Sequence, residues 1–342
     1  MKLVWHADNL LEVDWLRDVL GDLVEEECTD LEQTCFDDDC IHVVSSNWKP
    51  LPTYEAYFRE CRARCRRLVL IHTSDEWFSG GYALYRHFDA VIRNFATSLA
   101  RHEGILTIPE GYANGTGSSS RPVTERRYVW SFTGEIKASR ANMAAALETL
   151  EPKFLTPTSS IYKEGGRKLS KIEFDDVLEN TIFSPCPMGN AILETWRLYE
   201  SLELGCIPIV ETRASLDYFT GLFGPHPIPS FARWEAARGY ALEMLSDRSA
   251  LLGKQVEIRD WWHARKQAVR RELRHAATGP SRRAALQRYG ALARNRYPGL
   301  HEPLRLAELI RHQNGPSLAG RLKSPSGPLR RIARESLRNL RA

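Results

Sequence analysis

A carboxylate at Glu200 and a glycine-containing loop shortly before it are the residues of this chain best suited to hold a small polar ligand. Both lie in the stretch Thr181–Val210, TIFSPCPMGNAILETWRLYESLELGCIPIV. Its pattern predicts a strand through Ile182 and Phe183, a Cys-Pro-Met-Gly-Asn loop, a helix over Ala191–Leu204 and a second strand, Cys206–Val210. Gly189 and Asn190 would then open the helix, where unbonded N–H groups and the helix dipole favour a phosphate. At about 100° per residue, Glu194, Arg197 and Ser201 share one side, while Glu200 falls among Leu193, Trp196 and Leu204. A carboxylate on such a face is enclosed and needs a partner. A sugar diol beside a phosphate is one; a nearby arginine, or a loop that the acid caps, is another.

Two further groups have spacing with chemical meaning. Gly134 ends the apolar run Tyr128–Phe132 and is followed by Lys137 and Arg140 at the start of a helical stretch, a second arrangement suited to an anion. Asp75 and Glu76 follow the strand-like run Arg67–His72, where one carboxylate could act as a general base. The alternative there is a helix start, with Ser74 as cap and the acids in the first turn. Asp37, Asp38 and Asp39 suggest a metal-binding Asp-x-Asp, but such acids should follow an apolar strand and these precede one. The seven cysteines show neither Cys-x-x-Cys spacing nor a second ligand pair, so reduced thiols and no metal are expected.

The elements that must carry these residues alternate. Strand-like runs at residues 2–7, Cys40–Val44 and Arg67–His72 enclose helical stretches at Val13–Leu23 and Tyr54–Cys65. This βαβαβ order predicts a doubly wound α/β domain whose ligands sit beyond the carboxyl ends of the strands. Short strands follow at Ala90–Ile92 and Ile105–Ile108, with Glu110 a further acid at a strand end. The Gly- and Ser-rich run Ala113–Pro122 reads as a linker or mobile loop. In the second half, helices are expected at Ala141–Leu150, Ile172–Glu179, Ala232–Leu245 and Arg259–His275, with loops at Lys163–Lys171 and Phe219–Pro229. The division is 1–120, 121–300 and a basic helical tail, 301–342.

Composition bounds the reading. The chain has 342 residues, 43% hydrophobic and 26% charged, which fits two globular domains with cores of their own. No apolar run approaches the roughly 18 residues that span a bilayer, and the N-terminus does not resemble a signal peptide, so a cytoplasmic location is expected. The net charge of +4 hides an asymmetry: from Arg321 onward the balance is +6, leaving the rest at −2. Leu329, Ile332, Ala333, Leu337 and Leu340 share one helical face with arginines around it. Such a helix can lie on an acidic membrane surface, giving a peripheral association at the inner face, or pack on the body of the protein.

Residues 183–210 resemble the exostosin-like glycosyltransferase family. The family's ordered run is matched by Pro187, Gly189, Arg197, Leu198, Tyr199, Glu200, Gly205, Cys206, Ile207 and Pro208. RLVLIHTSDE (67–76), VIRNF (91–95) with IPEGY (108–112), and WSFTGEIKASR (130–140) look like its ribitol-xylosyltransferase branch. The resemblance implies a GT-B fold, two Rossmann-like domains facing a cleft, with a nucleotide sugar held mainly by the second. It implies that Glu200 binds the nucleotide ribose, that Arg197 lies near the diphosphate, and that Gly189 and Asn190 approach the donor through backbone. Arg140 is a second diphosphate candidate by position; Gly134, Lys137 and Glu194 complete the donor-side set. Asp75 and Glu76 are the candidate bases, with Glu110 in reserve.

The expected reaction is metal-independent, inverting transfer from a nucleotide sugar, xylose or another UDP-linked sugar, to a hydroxyl of a glycan or polyol phosphate. No cofactor beyond that donor is implied. Bacterial surface polysaccharide or capsule synthesis would fit the basic tail. Two other functions compete: a nucleotide-sugar epimerase of the same fold, which needs no acceptor, and a nucleic-acid-binding protein using the tail and the helix Arg259–His275. The acidic body and the lack of a recognised reader motif argue against nucleic acid.

Overall fold

Apolar runs bounded by polar turns become parallel strands in both halves of the chain. A computed structural model describes residues 1–7, 10–29, 38–46, 51–78, 81–158, 169–213, 216–296 and 301–313. The chain forms two units. Unit 1 takes Met1–Leu11, Arg17–Glu110 and the chain from Ala268; unit 2 takes Glu12–Leu16 and Gly111–Gln267.

Unit 1 contains β1 (Lys2–Trp5), the later part of α1 (Val13–Leu20), β2 (Glu26–Cys28), β3 (Asp39–Ser45), α2 (Glu55–Arg64), β4 (Arg67–Thr73), β5 (Ala90–Arg93) and β6 (Ile105–Thr107). The sheet order is β2-β1-β3-β4-β5-β6 and every pairing is parallel. Ile41, Val43 and Val44 of β3 and Leu68 to Ile71 of β4 are fully buried, so successive residues are enclosed on both faces of the sheet. The order reverses between β1 and β3.

Unit 2 contains β7 (Tyr128–Gly134), α3 (Ser139–Leu147), β8 (Lys153–Pro157), α4 (Lys171–Glu179), β9 (Thr181–Cys186), α5 (Trp196–Glu203), β10 (Ile207–Glu211), α6 (Tyr218–Phe223), β11 (Ser230–Phe231), α7 (Trp234–Ser246) and the first part of α8 (Arg248–Thr278). Its sheet order is β11-β10-β9-β7-β8, again with parallel pairings. The chain leaves β7 to one side for β8 and returns on the other side at β9. The crevice outside the carboxyl ends of β7 and β9 is therefore the topological switch point, where open α/β sheets bind ligands.

Both units are α/β and Rossmann-like, as expected, but several elements differ from the expectation. The helix expected over Ala191–Leu204 begins at Trp196. Ala191, Ile192 and Leu193 are all 2% exposed or less, and burial of three successive side chains in an irregular segment overrides their helix propensity. The stretch Phe219–Pro229, read as a loop, contributes most of α6. The short strands β2, β8 and β11 are additional to the elements expected from the sequence.

The run Ala113–Pro122 is bound into unit 2 rather than acting as a linker. Gly117 N–H donates to Asp175 Oδ2 at 3.0 Å, Ser119 Oγ donates to Glu179 Oε1 at 2.9 Å, and Ser119 N–H donates to Glu203 O at 3.1 Å. The expected contiguous domain 121–300 is also corrected. From Ala268 the chain returns to unit 1, ending in α9 (Arg283–Arg296) and α10 (His301–Gln313). Helix α9 packs on the 3-10 helix Tyr82–His87, with Tyr289 stacked on Tyr85 at 6.2 Å. In α10 Glu308 accepts from both Ser98 N–H and Ser98 Oγ at 3.1 Å. The basic segment beyond residue 313, including Leu329–Leu340, lies outside the described residues. Among the described residues no helix is long and apolar enough to cross a membrane.

Unit 2 borrows one large side chain from the N-terminal part of the sequence. Trp15 is fully buried, stacked on Trp262 at 5.8 Å, and Tyr199 of α5 lies 5.6 Å from the same Trp262 ring. The backbone approaches Trp15 so closely at Gly111 (φ +83°) that a Cβ there would sit 2.1 Å from the indole, which only glycine avoids. Trp262 also donates to Glu203 Oε1 at 2.7 Å, and Lys266 Nζ reaches the same oxygen at 2.7 Å. Helix α5 is thus clamped at its carboxyl end, which fixes the rotation of Arg197 and Glu200.

Candidate active site at the switch point of unit 2

Two loops meet at the carboxyl edge of the second sheet. The loop after β7 carries Lys137, whose Nζ donates to Asn190 Oδ1 at 2.9 Å and to Glu135 Oε2 at 2.8 Å. Arg140, in the first turn of α3, donates to Met188 O at 3.2 and 3.3 Å and to Glu135 O at 3.2 Å. These bonds join the loops after β7 and β9. From the end of β10, Arg213 reaches Met188 Sδ at 3.6 Å and Glu211 Oε2 at 2.5 Å. Gly134, Lys137, Arg140, Gly189 and Asn190 are therefore gathered at one edge.

Their detailed roles differ. Gly189 and Asn190 do not open a helix, and the Gly189 N–H is used within the loop, donating to Ile192 O at 2.8 Å. The free N-terminal donors of α5 begin instead at Trp196, after Thr195, whose extended backbone stands in the cap position without a side-chain capping bond. Glu194 precedes the helix and does not share a face with Arg197. It is 2% exposed and accepts from the hydroxyls of Tyr199 and Tyr218, so it holds α5 and α6 together.

Arg197 and Glu200 occupy the first two turns of α5. Arg197 Nη2 donates to Thr133 O, and its guanidinium lies 4.4 Å from the Phe132 ring centroid and 5.4 Å from that of Phe174. A Cβ on residue 134 would meet the Phe132 ring at 3.2 Å and that Nη2 at 3.4 Å. Burial weakens the charged form and lowers the Arg197 pKa, opposed by Cys186 and Glu200 nearby. Its Nε and Nη1 make no hydrogen bond among the described residues.

Glu200 is 7% exposed, as the helical pattern predicts. Burial raises its pKa; Lys171 and Arg197 oppose that rise. Glu200 Oε1 accepts from Lys171 Nζ at 3.2 Å, whereas Oε2 has no hydrogen-bond partner among the described residues. At the end of β7 and the starts of α3 and α5, Thr133 Oγ1, Ser139 Oγ, Thr195 Oγ1 and the Trp196 indole N–H are buried with no partner among the described residues. Unmet polar groups in a native interior call for explanation, and a bound ligand is one. Nothing in the sequence pattern marks these four, and the pattern puts Lys171 at the end of a polar loop.

In unit 1 the end of β4 is not a helix start. Ser74 adopts φ +60°, and its N–H donates to Asn94 Oδ1 at 3.1 Å. Asp75 is fully enclosed and accepts from Arg93 Nη2 at 3.2 Å and Tyr82 OH at 2.9 Å, the Arg93 and Asp75 side chains both being 0% exposed. Asp75, expected as a candidate base, is placed as the buried counter-ion of Arg93. Glu76 is half-buried and Glu110 is 8% exposed. Arg93 at the end of an otherwise apolar strand was the signal for such a pair. Asp39 opens β3 and pairs with Arg66 at 2.7 Å; Asp37 lies outside the described residues. Among the described residues no three His, Cys, Asp or Glu side chains are grouped to hold a metal.

No family model and no curated protein matches the chain. Among solved structures it is similar to an α1,3-fucosyltransferase, at 14% identity over 81% of this chain and 90% of that one, with a TM-score of 0.49. It is similar to T4 phage BGT in complex with UDP and Mn2+, at 10% identity over 81% and 100% of the two chains, TM-score 0.48. Anabaena HepE in complex with UDP and glucose matches at 12% identity over 80% and 98%, TM-score 0.49. Likeness at this level assigns no residue a role.

Proposed function

We propose that the chain is a glycosyltransferase of GT-B type, moving a sugar from a nucleotide sugar to an acceptor hydroxyl, with the nucleotide held at the switch point of unit 2. One observation carries this reading: on adjacent turns of one helix, Glu200 offers a carboxylate oxygen and Arg197 offers N–H groups that are unbonded among the described residues. An acceptor for a ribose hydroxyl and donors for a diphosphate are what a nucleoside diphosphate requires. Arg140 and Lys137 add positive charge on the facing loop.

In the transfer, the bond from the sugar carbon to the diphosphate oxygen breaks as that carbon bonds to the acceptor oxygen, and a base removes the acceptor proton. Arg197 and the N-terminus of α5 would stabilise the charge gathering on the leaving diphosphate. Glu76, less enclosed than Asp75, is our choice of base. A UDP-linked sugar such as xylose, a glycan or polyol-phosphate acceptor, inversion without a metal, and a place in bacterial surface polysaccharide synthesis complete the proposal.

A thermal-shift screen of UDP, other nucleoside diphosphates and UDP-sugars on wild type and Glu200→Gln tests it. A ligand present at about 100 times its Kd should stabilise the native state by about 2.7 kcal/mol. Loss of a hydrogen bond to the Glu200 carboxylate should weaken binding by about 1.5–3 kcal/mol, roughly 10- to 150-fold. Equal stabilisation of both proteins, or of neither, would overturn the assignment.

A further inference from the structure

The ion that bonds Glu200 comes from another element. Helix α4 starts with a reciprocal capping box: Ser170 Oγ accepts from Glu173 N–H at 3.2 Å, and Glu173 Oε2 accepts from Ser170 N–H at 2.7 Å. The box fixes Lys171 as the first helical residue. Lys171 Nζ then donates to Asp175 Oδ1 at 2.5 Å, one turn along its own helix, and to Glu200 Oε1 at 3.2 Å across to α5. Its ammonium also lies 5.2 Å from the Phe174 ring centroid.

Lys171 and Arg197 therefore divide the work. Arg197 is the nearer cation in sequence, yet the only hydrogen bond of its guanidinium among the described residues goes to the Thr133 carbonyl. Among the described residues the charged groups facing Glu200 are Lys171 and Asp175 from α4 and Arg197 from its own helix, and these three together with Glu200 itself sum to zero. Without Lys171 the remaining groups, Glu200 included, carry a net charge of −1, and the buried carboxylate loses the cation that hydrogen-bonds it among the described residues. Such a group takes up a proton instead of remaining ionised.

We propose that Lys171 is a positioning residue for the nucleotide, holding Glu200 by one oxygen so that the other is offered, ionised and in fixed orientation, to a ribose hydroxyl. This rests on the ribose reading of Glu200. It adds a source of discrimination: a buried carboxylate aimed at a hydroxyl is left unpaired when that hydroxyl is missing. Ribonucleotides should then bind better than 2′- or 3′-deoxy analogues, and the preference should depend on Lys171.

The test is the affinity of UDP and its deoxy analogues from pH 5 to 8.5 for wild type, Lys171→Met, Lys171→Arg and Glu200→Gln, with melting temperature as the folding control. Lys171→Met should bind UDP about ten-fold more weakly at pH 7. Its affinity should rise with pH over a range where wild type changes only through the UDP phosphate itself, which titrates near about 6. The preference for the ribonucleotide should shrink at low pH in Lys171→Met and return in Lys171→Arg. A folded Lys171→Met with the wild-type profile and preference, alongside Glu200→Gln weakened, would sink the role of Lys171 and leave the ribose site standing. Wild-type binding by Glu200→Gln would remove the ribose site itself.

Discussion

Replacing Arg93 by leucine should lower the unfolding free energy of unit 1 by about 3–5 kcal/mol, the usual cost of removing one partner of a buried ion pair. The guanidinium is 0% exposed and donates to Asp75 Oδ2 at 3.2 Å and to Asn94 O at 3.1 Å, with the Tyr82 ring centroid 5.1 Å away. Leucine fills part of the volume but leaves the Asp75 carboxylate enclosed without its cation. The double variant Arg93→Leu, Asp75→Leu removes the stranded charge as well and should recover much of the loss. Urea unfolding of the two variants and wild type measures both effects. A single variant within about 1 kcal/mol of wild type would mean that water or another group reaches Asp75 and that the pair contributes little.

Stability should also fall by about 3 kcal/mol as pH is lowered from 6.5 to 4, with His72 as a principal cause. His72 is fully buried between Ser46 Oγ at 2.6 Å and Tyr85 OH at 2.7 Å. Burial pushes its pKa down to about 4; Asp75 resists and Arg93 assists that shift. Above pH 6.5 the imidazole is neutral in both folded and unfolded chains, and its contribution is fully present. Between 6.5 and 4 the unfolded chain binds a proton that the folded chain refuses, so each pH unit costs about 1.4 kcal/mol. His42, enclosed beside His6 at 2.8 Å, is shifted down chiefly by burial and acts in the same direction. Urea titrations at pH 7, 5.5 and 4.5 should show this slope, reduced by close to one proton in His72→Gln. Identical slopes in the two proteins would show that the imidazole finds a proton in the folded state.

What could be seen in advance follows from how local each determinant is. The strands β3, β4 and β9 are apolar runs whose burial needs only their own residues to announce it. Glu200 is similar, since the spacing of Leu193, Trp196 and Leu204 places the acid on an enclosed face even though Leu193 itself lies before the helix. Its partner Lys171 is 29 residues earlier in the chain, and no periodicity connects them. The start of α5 departs from the local pattern for the same reason. Ala191 to Glu194 suit a helix by propensity, but Glu194 is held partly by Tyr218, 24 residues away. β2 and β11, of three and two residues, are too short to carry an alternating pattern. The return of the chain to unit 1 at Ala268 occurs inside α8, a continuous helix of 31 residues, where composition changes too little to mark a boundary.

That return has a consequence for the order in which the protein is made. Unit 2 has its last residues by Gln267, whereas unit 1, begun first, lacks α9 and α10 until residue 313 has been synthesised. At ~5–20 residues per second, the Tyr82–His87 segment and Tyr85 wait roughly 10–40 s after their own synthesis for Tyr289 and its helix. Nascent unit 1 is therefore left with an uncovered apolar surface during translation, while the unit between its pieces can fold to completion.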